Sequence, residues 1–169
     1  MVCLGNICRS PLAEGILQDK LDPARFSVSS AGTGSWHVGN PPDPRSVDIA
    51  QKRGLDISRQ RAQQFQGSFF NEYDLIYAMD QSNLSDLKSL AKTPEQLHKL
   101  SLLLDAVFPG EGVDVPDPYY GGASGFSEVY DLIDRACIAI AHKIDQKKWL
   151  TSPRHQSGQG FVFYQTFNF

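Results

Sequence analysis

Apolar residues recur at helical spacing in Leu12, Ala13, Ile16, Leu17 and Leu21, the stripe that one face of a helix buries. Ser10-Pro11 stands just before it, an N-cap followed by a proline at the first helical position, so the pattern predicts a helix opening there. Residues 26–31 alternate as a strand, and residues 32–43 form a loop rich in Gly and Pro that carries Trp36 and His37. Asp43-Pro44 repeats the cap-plus-proline device for a second helix that ends at Gly54. Residues 73–79 read as a buried strand, 82–91 as a leucine-striped helix and 100–104 as a further strand. A long loop over residues 105–124 carries Asp117-Pro118-Tyr119-Tyr120. A last helix then places Val129, Leu132, Ile133, Ala136, Ile140 and Ile144 on one face.

Strands alternating with helices predict an α/β fold: a flavodoxin-like open parallel sheet of about four strands with helices on both faces. Ligands of such sheets bind beyond the carboxyl ends of the strands, where the loops after residues 2 and 104 both fall. The 169 residues suffice for one domain, read here as residues 1–149. Residues 150–169 differ in kind. They run from a polar stretch into residues 161–169, which hold five of the chain's eighteen aromatics and are read as a segment that docks on the domain, pairs as a strand, forms an aggregation-prone end or is a translated non-native stretch.

Sixteen Lys and Arg against nineteen Asp and Glu give a formal charge of −3, which argues against a surface that holds nucleic acid or an anionic membrane broadly. Any anion must be met locally. No apolar run is long enough for a membrane span, and Met1 to Asn6 lacks the basic and apolar stretches of a signal peptide, so the expected location is cytoplasmic. The three cysteines, Cys3, Cys8 and Cys137, are too few and odd in number for a disulfide framework, and their spacing fits no zinc pattern. Neither metal nor cofactor is expected. Cys137 falls on the apolar face of the last helix and reads as a small core side chain.

Cys3-Leu4-Gly5-Asn6-Ile7-Cys8-Arg9-Ser10 reads as a strand end, a loop whose Gly5 and Asn6 tolerate left-handed backbone, and a helix N-terminus. Such a turn aims backbone N–H groups inward and makes an anion nest that the helix dipole reinforces. Arg9 adds a planar fork of donors that can grip two phosphate oxygens. A thiolate at the base of such a ring is favoured over the thiol, which makes Cys3 a candidate nucleophile facing a bound oxyanion, with Ser10 able to donate to the sulfur. The plainer alternative is a tight turn into a helix with both cysteines buried.

The run from Val2 through Ser10-Pro11, followed by Ala13-Glu14, closely resembles the phosphate-binding loop of low-molecular-weight protein tyrosine phosphatases. Further matches in the family's order are Ser30-Ala31-Gly32-Thr33, Trp36-His37-Val38-Gly39, Asp43-Pro44-Arg45, Met79-Asp80 with Ser82-Asn83-Leu84, and Asp117-Pro118-Tyr119-Tyr120. The resemblance implies a metal-free, two-step hydrolysis of phosphotyrosine and small aryl phosphates through a cysteinyl-phosphate. In it Cys3 is nucleophile, Arg9 holds the phosphate and Asp117 is general acid, while Leu4, Gly5, Asn6, Ile7, Cys8 and Ser10 line the anion. It implies that Trp36, Tyr119 and Tyr120 wall the aryl pocket. It implies that Ile7 favours phosphotyrosine, since relatives acting on phosphoarginine carry Thr there, and that Cys8 forms a reversible disulfide with the nucleophile. The partners so implied are tyrosine-phosphorylated proteins; the residues leave the oligomeric state open, with a monomer favoured.

Two departures stand out. The family's loop-supporting His aligns with Gln60, an amide expected to reach Asn6 without titrating, so loop support falls to Asn6, Ser10 and Gln60. Family members also carry several apolar residues before the nucleophile, an interior strand, whereas Met1 and Val2 alone precede Cys3. The first strand is therefore expected to be truncated, leaving ladder groups unpaired or the slot open to residues 161–165. Two rival functions accompany this reading: a non-catalytic phosphotyrosine reader or inactive variant, and an arsenate reductase, which needs more relay cysteines than Cys137 supplies.

Overall fold

The sheet is built around one of its two shortest strands. In the computed structural model, which describes residues 1–120 and 123–146, β1 is Val2–Cys3, with α1 (Arg9–Lys20), β2 (Ala31–Gly32), α2 (Pro44–Lys52) and α3 (Phe69–Glu72) after it. The chain continues through β3 (Ile76–Ala78), α4 (Gln81–Leu90), α5 (Pro94–Leu97), β4 (Leu100–Leu102), a 3-10 turn over Leu103–Ala106, and α6 (Ala123–Gln146). The strands lie in the order β2-β1-β3-β4, and all pairs are parallel. This is the four-stranded open α/β sheet that the alternation predicts.

β1 is short, yet it occupies an interior position with partners on both sides. Val2 and Cys3 stand opposite Ala31 and Gly32, and Val2 stands opposite Ala78. The peptide groups next in line continue these ladders: Ala31 N–H donates to Met1 O, Thr33 to Cys3 O and Met79 to Val2 O, each at 2.9 Å. Two residues thus suffice to seat Cys3 between β2 and β3, which corrects the expectation that so short a start leaves the ladder beside Cys3 unpaired. The tail residues expected to fill that place lie outside the described residues.

Each face of the sheet carries its own core. Leu12, Ala13, Ile16 and Leu17 of α1 pack with Ile133, Ala136, Cys137 and Ile140 of α6 on one face. Val2, Ala31, Ile76 and Ala78 meet Phe65, Phe70, Leu84 and Leu87 on the other. Cys137 is fully buried, its thiol pushed up to about 12 chiefly by desolvation, so the core reading of this residue describes its surroundings. Among the described residues no helix is long and apolar enough to cross a membrane.

Local boundaries differ from the sequence expectation where tertiary partners decide them. Residues 26–30 carry no strand; Val28 N–H donates to Gln18 Oε1 and Gln18 Nε2 to Phe26 O, so a side chain of α1 takes backbone groups that a longer neighbouring strand would pair. α1 begins at Arg9, with Cys8 rather than Ser10 as its N-cap, two residues before the expected first helical position at Pro11. Asp43 caps α2 as expected, accepting from Arg45 N–H at 2.9 Å, and Gly54 ends that turn at φ +85°.

Candidate active site

The loop between β1 and α1 folds back on Cys3. Asn6 adopts φ 55°, the left-handed conformation that Asn tolerates better than most residues, and this aims its N–H at Cys3 Sγ, 3.2 Å away. Gly5 is not left-handed; a Cβ on it would come within 3.1 Å of the His37 ring, so its smallness serves packing. Gly32 is needed for the same reason, since a Cβ there would lie 2.7 Å from Leu4 O. Cys8, the residue capping α1, makes no side-chain cap hydrogen bond, which leaves the first-turn N–H groups directed at whatever the loop encloses.

Ser10 does not cap the helix. Its Oγ lies 3.0 Å from Cys3 Sγ and accepts from Asn6 Nδ2 at 2.9 Å. Asn6 is itself held from two further sides: Nδ2 donates to Ser30 Oγ at 2.8 Å, and Oδ1 accepts the Gln63 N–H at 2.9 Å. Ser30 Oγ donates in turn to Glu14 Oε2 at 2.6 Å. Burial raises the Glu14 carboxyl above its ordinary range, and the Ser30 hydrogen bond moderates the rise.

Gln60 is not among Asn6's partners. Its Nε2 donates to Pro11 O at 3.2 Å, and its Oε1 is buried without a hydrogen bond. The amide is therefore spent on the first turn of α1, while the backbone of Gln63 serves Asn6. The expectation of a Gln60 to Asn6 contact is corrected accordingly.

Arg9 is 3% exposed, and three acceptors fix its guanidinium. Nη1 donates to Asp80 Oδ2 at 2.6 Å and to Val115 O at 3.0 Å, and Nη2 donates to Asp117 Oδ2 at 3.2 Å. Asp80 also caps α4, accepting from Asn83 N–H at 2.7 Å. Val115 N–H donates to Met79 O, which ties the loop carrying Asp117 to the end of β3. The Asp117 side chain, 43% exposed, thus stands beside Arg9 at the mouth of the loop, and Tyr119 N–H donates to its other oxygen at 3.0 Å.

Tyr119 and Tyr120 meet edge to face with centroids 5.1 Å apart, and Tyr120 is almost fully exposed. Trp36 comes from the segment between β2 and α2, is 70% exposed and lies over Gly34, where a Cβ would collide with its ring. Ile7 and Leu4 reach the surface in part, and Ile7 O accepts the Asp43 N–H at 2.8 Å. Cys8 is buried, and its thiol is pushed up to about 12, first by desolvation and then by the Asp43 carboxylate. Among the described residues no three His, Cys, Asp or Glu side chains are grouped to hold a metal ion.

Five supporting residues have no role in the sequence reading: Asp80, Ser30, Gln63, Glu14 and Arg45. Asp80, Ser30, Glu14 and Arg45 sit in the matched segments, but as single residues they signal only a helix cap, a turn or a solvated charge. Gln63 acts through its backbone, which no side-chain pattern reveals.

Comparisons with known proteins agree over most of the chain. The family model described as low molecular weight phosphotyrosine protein phosphatase matches residues 1–150. A putative low molecular weight protein-tyrosine-phosphatase of Synechocystis is 43% identical over 140 residues, covering 80% of this chain and 88% of its own. A low molecular weight phosphotyrosine protein phosphatase of Schizosaccharomyces pombe is 42% identical over 139 residues, covering 79% of this chain and 88% of its own. Among solved structures, a protein tyrosine phosphatase from Entamoeba histolytica superposes with a TM-score of 0.81 at 33% identity, over 87% of this chain and 96% of that one. YfkJ from Bacillus subtilis gives 0.79 at 38% identity, over 87% of this chain and 93% of its own.

Proposed function

Because the chain belongs to the low molecular weight phosphotyrosine protein phosphatase family, we propose that it hydrolyses phosphotyrosine in proteins, and small aryl phosphates, through a cysteinyl-phosphate. The observation that carries this reading is a convergence. Cys3 Sγ meets the Asn6 N–H and Ser10 Oγ at the base of the loop, while Arg9 stands locked between Asp80 and Asp117.

In the first step Cys3 Sγ attacks phosphorus, the S–P bond forms and the P–O bond to the aryl group breaks. Asp117 gives its proton to the departing phenolic oxygen, an assistance worth about 10² to 10⁴ in rate. The N–H groups of residues 4–9 and the Arg9 guanidinium hold the charge that builds on the phosphoryl oxygens, and Arg9 needs no reorientation because its partners already fix it. In the second step Asp117 takes a proton from water as the water attacks phosphorus. The S–P bond breaks, inorganic phosphate leaves and the Cys3 thiolate is restored, with the Ser10 hydroxyl donating to the departing sulfur. The rim of Trp36, Tyr119 and Tyr120, with Ile7, suits a flat phenyl ring carried by a protein chain.

Residues 1–149 form the catalytic domain and residues 150–169 an appended segment in this reading. The cytosol is its setting, where Cys3 and Cys8 stay reduced until an oxidant joins them. A monomer with no nucleic-acid partner is expected. Hydrolysis of p-nitrophenyl phosphate in chelator tests the reading. Turnover should vanish in Cys3→Ser, and in Asp117→Ala phenyl phosphate turnover should fall about 10² to 10⁴-fold. Phosphotyrosine binding without turnover in the folded wild-type chain would instead make it a reader, and thiol-dependent arsenate reduction without phosphatase turnover would move it to the other rival.

A further inference from the structure

A groove of about 490 Å³ opens beside the loop that follows Cys3. Leu4, the residue next to Cys3, lines it together with Trp36 and Phe65, and the end of α4 contributes Asp86 and Leu90. The segment carrying Trp36 is bonded to the Cys3 loop: Thr33 N–H donates to Cys3 O and Gly34 N–H to Leu4 O, each at 2.9 Å. Three apolar side chains of the groove reach solvent, Leu4 at 44%, Leu90 at 42% and Trp36 at 70%, which is the mark of a surface that takes a ligand. Asp86 and Leu90 stand four residues apart on one face of α4, so a carboxylate borders this apolar surface. Among the described residues that line the groove Asp86 carries the one charge. It is exposed and forms no ion pair with any described residue.

We propose that this groove receives a Lys or Arg side chain of the substrate, from a residue that flanks the phosphotyrosine in the same peptide; the inference rests on the phosphatase reading above. Such a side chain joins an apolar stem to a cationic end. The stem covers Leu4 and Leu90, while the cation meets the Asp86 carboxylate and the indole face of Trp36. An acidic flank would instead face a carboxylate of its own sign, and an apolar one would leave Asp86 unpaired. A cavity of about 150 Å³ accepts one benzene ring, so 490 Å³ has room for one long side chain and the peptide unit that bears it. Leu4 belongs both to the loop around Cys3 and to the groove, and an extended peptide advances about 3.3 Å per residue. A flank a few positions from the phosphotyrosine therefore spans the step from one to the other.

Fluorescent phosphotyrosine peptides with Arg, Leu or Glu placed in turn at each of the four positions on either side decide the matter. The full 169-residue chain carrying Cys3→Ser binds them without turnover, and anisotropy gives each Kd. At one position Arg should bind about tenfold more tightly than Glu, the combined effect of an exposed ion pair and a cation–π contact. Adding Asp86→Asn should erase that advantage, and adding Asp86→Lys should transfer it to Glu at the same position. Arg without advantage at any position overturns the proposal, as does an advantage that survives Asp86→Lys. Leu bound more tightly than Arg overturns it too, and gives the groove to an apolar flank. p-Nitrophenyl phosphate has no flank, so with Cys3 in place the wild-type chain and Asp86→Lys should hydrolyse it alike, which also shows that the variant is folded. Absence of that turnover from both would count against the phosphatase reading, while the Kd series still judges the groove.

Discussion

Arg45 donates Nη1–H to the Tyr119 carbonyl at 3.1 Å across 74 residues of sequence, and its guanidinium lies 5.5 Å from the Tyr119 ring. Asp43 takes two more of its donors, through Nε at 2.9 Å and Nη2 at 2.8 Å. Hydrogen bonding to Arg45 holds the Asp43 carboxyl below its ordinary range. The cap of α2 therefore also anchors the loop that presents Asp117.

Replacing Arg45 by Met keeps much of the apolar stem and removes every donor. We expect kcat on phenyl phosphate to fall about 10 to 100-fold, the cost of misplacing a catalytic group by an ångström. p-Nitrophenyl phosphate, whose anion leaves without a proton, should suffer less. Equal losses on the two substrates would show that Arg45 does not act through Asp117.

Asp80 bears on phosphate affinity through Arg9. Asp80→Ala removes the 2.6 Å partner of a buried guanidinium and the acceptor that caps α4. Breaking a fully buried pair costs about 3–5 kcal/mol. Because the Asp80 side chain is 18% exposed, we expect about 2 kcal/mol in urea unfolding, together with a rise of about tenfold in the Ki of inorganic phosphate. Asp80→Asn keeps a capping acceptor and should recover most of the stability but little of the affinity. Recovery of both would mean that the charge is immaterial.

The two cysteines of the loop should separate by reactivity. Burial pushes the Cys8 thiol up to about 12, so it stays protonated from pH 6 to pH 9, and only the thiolate attacks. Iodoacetamide should modify Cys3 first, abolish turnover with one label, and be blocked by phosphate. Peptide mapping checks this, and comparable labelling of Cys8 in the native chain would refute it.

Glu14 gives the loop support a pH dependence. Its carboxyl is raised by burial, so the folded chain binds a proton there more readily than the unfolded chain, whose value is near 4.5. Stability from this site is full below that value and is lost as pH rises through the folded one. Glu14→Gln has no such loss. Relative to wild type, its unfolding free energy should improve between pH 4.5 and pH 7.5, and a difference flat in pH would sink the idea.

Much of the site is legible in the chain itself because its signals are local. The run Cys3 to Ser10 puts Cys3, left-handed Asn6 and Arg9 on one turn, where eight consecutive residues can encircle an anion whatever the remainder does. Asp43-Pro44 starts α2, and the apolar stripe from Val129 to Ile144 makes the long helix, by the same short-range physics. Strand lengths were not readable: residues 26–30 alternate like a strand, yet pairing depends on a neighbour, and β1 is two residues long.

What holds the chemistry in place was decided in three dimensions. Asn6 is braced by Ser30, 24 residues away, and by the backbone of Gln63, 57 away, while Gln60 turned to Pro11. Arg9 meets Asp80 and Asp117 across 71 and 108 residues. These bonds exist because the order β2-β1-β3-β4 brings the ends of β1 and β3 together. A hydrogen bond acts over about 3 Å, so a residue pattern names the groups able to form one, and only the folded sheet selects which of them meet.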